Sequence, residues 1–128
     1  MVKVTASDEL YVPLKGRLKD KRGIKRECWG KIDSFLQRFA DYYDQALVVT
    51  EAMDTINRTN HSFHKIPCGA RDVRVWNLSK KMRKLLVTRA REEHFFAINE
   101  GNHIHIDIGG MKSKEDRLKI LEKANGNR

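Results

Sequence analysis

An α+β fold, a small antiparallel sheet flanked by helices, is what this 128-residue chain predicts. Three observations carry that expectation. Residues His103–Ile108 alternate strictly between polar and apolar, and Asp72–Trp76 alternates likewise, as strands do when successive side chains turn to opposite faces. Trp29, Ile32, Phe35, Leu36, Phe39, Tyr43 and Leu47 recur at three- and four-residue steps, which describes a helix with one apolar stripe. Phe95–Asn99 meets His103–Ile108 across Glu100-Gly101-Asn102, a tight turn that makes the two an antiparallel hairpin.

The elements follow in order. Residues 1–24 form an N-terminal arm in which Val2, Val4, Leu10, Val12 and Leu14 can supply a short strand. A basic run from Lys15 to Arg26 overlaps its end, with no aromatic residues interleaved. That lack weakens a single-stranded nucleic-acid reading. The first helix is expected over residues 25–45, a buried strand over 46–51, and a loop over 52–71, where Asn, Thr, Ser, Pro and Gly are spread. Asp72–Trp76 is the next strand. Ser79 caps a helix to about Arg91, with Met82, Leu85 and Leu86 inward and Lys80, Lys81, Arg83, Lys84, Arg89 and Arg91 outward. After the hairpin, Gly109-Gly110 ends the last strand. Ser113 and Asp116 resemble a capping box that opens a C-terminal helix within 112–128, docked by Leu118, Ile120 and Leu121.

One domain, residues 1–128, is the natural count, since no long linker divides the chain and this length buries a real core. The 26 Lys and Arg against 17 Asp and Glu leave a net charge of +9, which favours polyanionic partners: nucleic acid, an anionic membrane surface or an anionic cell wall. Cys28 and Cys68 are the only cysteines, so no disulfide framework is indicated and a reducing compartment is expected. No apolar run reaches membrane-spanning length, and the start of the chain lacks the apolar core of a signal peptide. The expected location is therefore cytoplasmic.

The alternation places His103, His105 and Asp107 on one strand face and Ile104, Ile106 and Ile108 on the other. The isoleucines want a core, whereas two histidines and an aspartate in a row suit a metal site. A catalytic zinc takes three protein ligands and keeps a fourth position for water, and a nearby free carboxylate then serves as general base. His64 at the end of a loop, Asp72 at the start of a strand and His103 on another strand can supply the ligands, with Glu100 at the hairpin turn as the free carboxylate.

At these residues the chain resembles the zinc D-Ala-D-Ala carboxypeptidase and dipeptidase family, which includes phage L-alanyl-D-glutamate endolysins and is related to the amino-terminal domain of hedgehog proteins. The first motif reads Ser62-Phe63-His64-Lys65-Ile66-Pro67-Cys68-Gly69-Ala70-Arg71-Asp72 and the second Glu100-Gly101-Asn102-His103. Leu47-Val48-Val49-Thr50 looks like the strand that leads into the first motif, so the match spans roughly residues 46–108. The resemblance implies a hedgehog/DD-peptidase-like fold, Zn2+ bound by His64, Asp72 and His103, and Glu100 as catalytic base. It implies peptidoglycan stem peptides as substrate, reached once the protein is released to the cell wall; the chain is expected to be a monomer. Where the family carries a substrate-orienting arginine this chain has Glu51-Ala52-Met53-Asp54, which leaves Arg58 or Arg71 as stand-ins. Ser62 and His105 join Arg71 as candidates for substrate contact.

Two points stay open. His105-Ile106-Asp107 also resembles the His-x-Asp ending of some relatives. Taking His105 as ligand would put Asn102 at the base position, and an amide cannot act as base, so His103 is preferred. His105 then supports the site or touches substrate, and Asp107 orients a histidine. Cys68 could close a structural site as a fourth ligand, although a small apolar role suits a loop cysteine better. The row also resembles metallo-β-lactamase-type hydrolases, but Ile108 stands in place of their further histidine and the chain is too short. Besides a zinc peptidase, the sequence admits a non-catalytic zinc-binding relative acting as an interaction module, and a basic nucleic-acid-binding protein.

Overall fold

The sheet at the centre of the fold is built where β-branched residues alternate, and it separates two unlike layers. A computed structural model describes residues 4–6, 18–19, 25–26, 30–51, 63 and 69–126. In chain order the elements are β1 (Val4–Ala6), β2 (Leu18–Lys19), β3 (Lys25–Arg26), α1 (Lys31–Tyr43), β4 (Leu47–Glu51), β5 (Ala70–Arg74), α2 (Lys80–Glu92), β6 (Phe96–Asn99), β7 (His103–Asp107) and α3 (Lys114–Gly126). The main sheet has the order β1-β4-β5-β7-β6, and β2 pairs with β3 apart from it. Each neighbouring pair among β4, β5, β7 and β6 is antiparallel, whereas β1 lies parallel to β4 with Val4 opposite Leu47. The arm thus closes one edge of the antiparallel sheet with a parallel strand.

Helices α1 and α2 cover one face. Ile32, Phe35, Leu36 and Phe39 of α1, with Leu86 and Ala90 of α2, pack on Leu47, Val49, Val73, Val75, Ala97, Ile104 and Ile106 in a single cluster. Burial of this apolar surface is the main driving force for the fold. The other face carries Asp72, Arg74, His103, His105 and Asp107. It is covered at one end by a smaller cluster of Phe63, Ala70 and Leu121, through which α3 docks.

Two boundaries differ from expectation. α1 begins at Lys31 rather than near residue 25, because Lys25–Arg26 pairs with Leu18–Lys19. The backbone N–H of Gly30 donates to Asp33 Oδ2 at 2.8 Å and starts the helix there. β5 runs from Ala70 to Arg74, two residues upstream of expectation, since Ala70 and Arg71 extend the ladder opposite Asp107 and Ile106. Ser79 does cap α2, accepting from the Met82 N–H at 3.1 Å.

Candidate metal centre

The register of β5 on β7 assembles the site. Asp72 stands opposite His105 and Arg74 opposite His103, so three polar positions of β7 and two of β5 share one face. The turn between β6 and β7 adds Glu100. Its N–H donates to the His103 carbonyl at 2.9 Å, which closes a two-residue loop of Gly101 and Asn102. Gly101 has φ +95 at the first central position, as in a type II′ turn, where only glycine is unstrained.

His103 is aimed between two carboxylates. Its Nε2 lies 3.7 Å from Asp72 Oδ2 and 3.5 Å from Glu100 Oε2. Its Nδ1 stands 2.6 Å from the Asn102 side-chain oxygen. Nε2 is thus the ring nitrogen turned to Asp72 and Glu100, while Nδ1 is engaged by Asn102. Two ligands of one tetrahedral zinc, each about 2.0–2.2 Å from the metal, are held about 3.3–3.6 Å apart. The His103–Asp72 separation is close to this, and the donor types, one imidazole nitrogen and one carboxylate oxygen, are those zinc accepts. Glu100, 47% exposed, keeps its carboxylate on the solvent side of the pair.

His105 lies deeper and both its nitrogens are engaged. Nδ1 is 3.0 Å from Asp72 Oδ1 and Nε2 is 2.7 Å from Asp107 Oδ2. Burial pushes its pKa down, but the hydrogen bonds and charges of Asp107 and Asp72 outweigh this and lift it to about 9. Burial pushes the Asp107 carboxyl up, yet His105 and Arg117 hold it below its ordinary range. Asp107 also accepts from the Gly109 N–H at 2.9 Å and from both arms of the Arg117 guanidinium. His105 thus holds Asp72 from behind and does not reach toward solvent.

Of the other expected site residues, His64 and Ser62 lie outside the described residues, as do Cys28, Cys68, Arg58, His61 and most of the basic run 15–26. Phe63, next to His64, is buried against Ala70 and Leu121 on the site side of the sheet. Among the described residues no group of three or more His, Cys, Asp or Glu is arranged to hold a metal ion.

Arg71 corrects the expectation of a substrate contact. It points to the helix face, is 1% exposed, and its Nε and Nη2 donate to Asp33 Oδ1 and Oδ2 at 2.8 and 3.0 Å. A residue adjacent to Asp72 in sequence necessarily faces away from it on a strand. Arg74, two residues on, shares the face of Asp72. Its guanidinium stacks 3.7 Å over the ring of Trp76, which is 71% exposed, and its Nε donates to Asn77 Oδ1 at 3.3 Å.

The cations expected on the outer face of α2 are exposed there, apart from the half-buried Arg83, and its three arginines are also bonded. Arg83 donates to the carbonyls of Val75 and Leu78, Arg91 to that of Ala97, and Arg89 to the Tyr43 hydroxyl and Glu92. These arginines fasten the helix to its surroundings, and Arg89 and Arg91 stay exposed with Lys80, Lys81 and Lys84. Among the described residues no helix is long and apolar enough to cross a membrane.

Comparison of the chain with family models, with curated proteins and with solved structures returns no match.

Proposed function

We propose that this protein is a zinc-dependent peptidase that hydrolyses peptide bonds in peptidoglycan stem peptides, of the carboxypeptidase or phage endolysin type, on a hedgehog/DD-peptidase-like fold. The observation that carries the reading is the meeting of Asp72, His103 and Glu100 at the open end of one sheet face, with a histidine nitrogen between two carboxylates.

His64, Asp72 and His103 would hold the metal. Bound zinc supplies a Lewis acid that polarises a carbonyl and lowers the pKa of water. Glu100 takes the proton of the attacking water and passes it to the leaving amine, a role open to a carboxylate 3.5 Å from His103 and half exposed. Asn102 and His105 hold His103 and Asp72 in place from the other side. Arg74, stacked on Trp76 and opposite His103, offers its guanidinium to an anionic group of the substrate. The net charge of +9 raises the encounter rate with an anionic wall.

The test is digestion of defined stem peptides by wild type and Glu100→Gln, with zinc measured in both. New amino termini with wild type only, and equal zinc in the two proteins, are expected. Purified protein without zinc overturns the reading. Zinc with no cleavage of any wall peptide turns it toward a non-catalytic zinc-binding interaction module, and salt-sensitive DNA binding alone toward a nucleic-acid role.

A further inference from the structure

Resting on the metal-site reading above, we propose that Arg117, on the C-terminal helix, is a positioning residue for the site: it sets the direction of the Asp72 carboxylate through Asp107 and His105. Arg117 touches neither Asp72 nor His103, yet an unbroken row of contacts joins it to both. Its Nη1 donates to Asp107 Oδ1 at 2.9 Å and its Nη2 to Oδ2 at 2.5 Å. A guanidinium bound through both arms fixes the plane of a carboxylate, which a single donor does not. Asp107 is fully buried and takes a further bond from the Gly109 N–H, so its plane has no freedom left.

Fixing Asp107 fixes His105. Oδ2 meets His105 Nε2 at 2.7 Å, and the opposite ring nitrogen then faces Asp72 Oδ1 at 3.0 Å. With Oδ1 so held, Oδ2 is the oxygen turned to His103 Nε2. Arg117 is itself held on three sides. Its guanidinium lies 3.7 Å from the Phe96 ring and 4.6 Å from the Phe63 ring, and its Nη1 reaches the Gly110 carbonyl at 3.2 Å. Gly109 leaves space for it: a Cβ there would stand 2.5 Å from Phe63 Cζ and 2.6 Å from Arg117 Nη1. A residue that only docked a helix would not need a neighbour without a side chain and an acceptor of fixed plane.

The experiment compares wild type, Arg117→Gln, Arg117→Lys and Leu121→Ala. Leu121→Ala loosens α3 without touching the row of polar contacts. Zinc affinity is read by competition with a chelator, and the His105 ring by nitrogen-15 NMR of the metal-free protein. Arg117→Gln is expected to lower zinc affinity about 10–100-fold, as loss of an outer partner of a metal site does, and to move the His105 ring resonances. Arg117→Lys, charged but without a fork, recovers part of that loss. Leu121→Ala lowers the melting temperature but keeps zinc affinity within about twofold, a change of less than ~0.5 kcal/mol. Equal loss of affinity in Arg117→Gln and Leu121→Ala, or none in Arg117→Gln, overturns the inference. If wild type binds no zinc, the peptidase reading fails by itself. The His105 resonances then decide this inference alone, and their constancy in Arg117→Gln overturns it.

Discussion

Arg71 and Asp33 form a two-armed ion pair between β5 and α1, with Nε 2.8 Å from Oδ1 and Nη2 3.0 Å from Oδ2, both side chains shut off from solvent. Asp33 also accepts the Gly30 N–H, so one carboxylate starts α1 and neutralises the buried guanidinium. Removing one member leaves the other as an unpaired buried charge, which costs about 3–5 kcal/mol. Arg71→Met and Asp33→Ala should each lower the unfolding free energy by that order in urea titration. A loss below ~1 kcal/mol in both would contradict this account of the pair.

The same titration repeated across pH in metal-free protein should show a plateau with two limbs. His105 is lifted from an ordinary 6.5 to about 9. Its contribution is therefore complete below 6.5 and is lost as pH rises through 9. Asp107 is held below its ordinary 3.8, so its contribution is complete above that value and is lost as pH falls further. His105→Gln should flatten the alkaline limb and leave the acid unfolding of other carboxylates. An alkaline limb unchanged in that variant would exclude His105 as its source.

Gly101 tests the turn. At φ +95 an added Cβ meets no atom within 4 Å, so any cost is backbone strain alone. Gly101→Ala should cost about 1–2 kcal/mol. It should also lower turnover more than zinc content, since the turn places Glu100. Unchanged thermal stability would mean that the turn relaxes without loss.

Gly109→Ala is the contrasting case, a steric clash and no left-handed backbone. The methyl would meet Phe63 and Arg117 at 2.5 and 2.6 Å, and overpacking of this kind costs about 1–3 kcal/mol. Because Arg117 must move, zinc affinity should fall as in Arg117→Gln. Normal affinity with lowered stability would show that Arg117 can shift aside without disturbing Asp107.

The architecture was legible where one periodicity dominates. The stripe Ile32–Phe39, the alternation His103–Asp107 and the cap at Ser79 each depend on local spacing, and each matches an observed element. Asp72, Glu100 and His103 were chosen from short motifs, and their meeting follows from the β5–β7 register and the turn. Arg71 was misread because its place in a motif was weighed above its parity on the strand: an even offset from Asp72 shares its face, an odd one does not. Arg74 satisfies that rule. Arg117 went unseen because its partner lies on another element. Its one local signal is that it precedes Leu121 by four residues, which sets both on the inner side of α3. The start of α1 was misplaced because the basic segment before it pairs as a strand, a tertiary preference that local spacing does not encode.

The row of contacts ending at Arg117 has a temporal meaning as well. Synthesis runs from the amino end, and domains gain structure as they emerge. Asp72, Glu100, His103, His105 and Asp107 all leave the ribosome before Arg117 does. The helix-side core draws on α1, α2 and the sheet and on no residue of α3, whereas the row that ends at Asp72 is complete only with Arg117. The last helix to be made therefore adds order to one face of a sheet whose other face is packed without it.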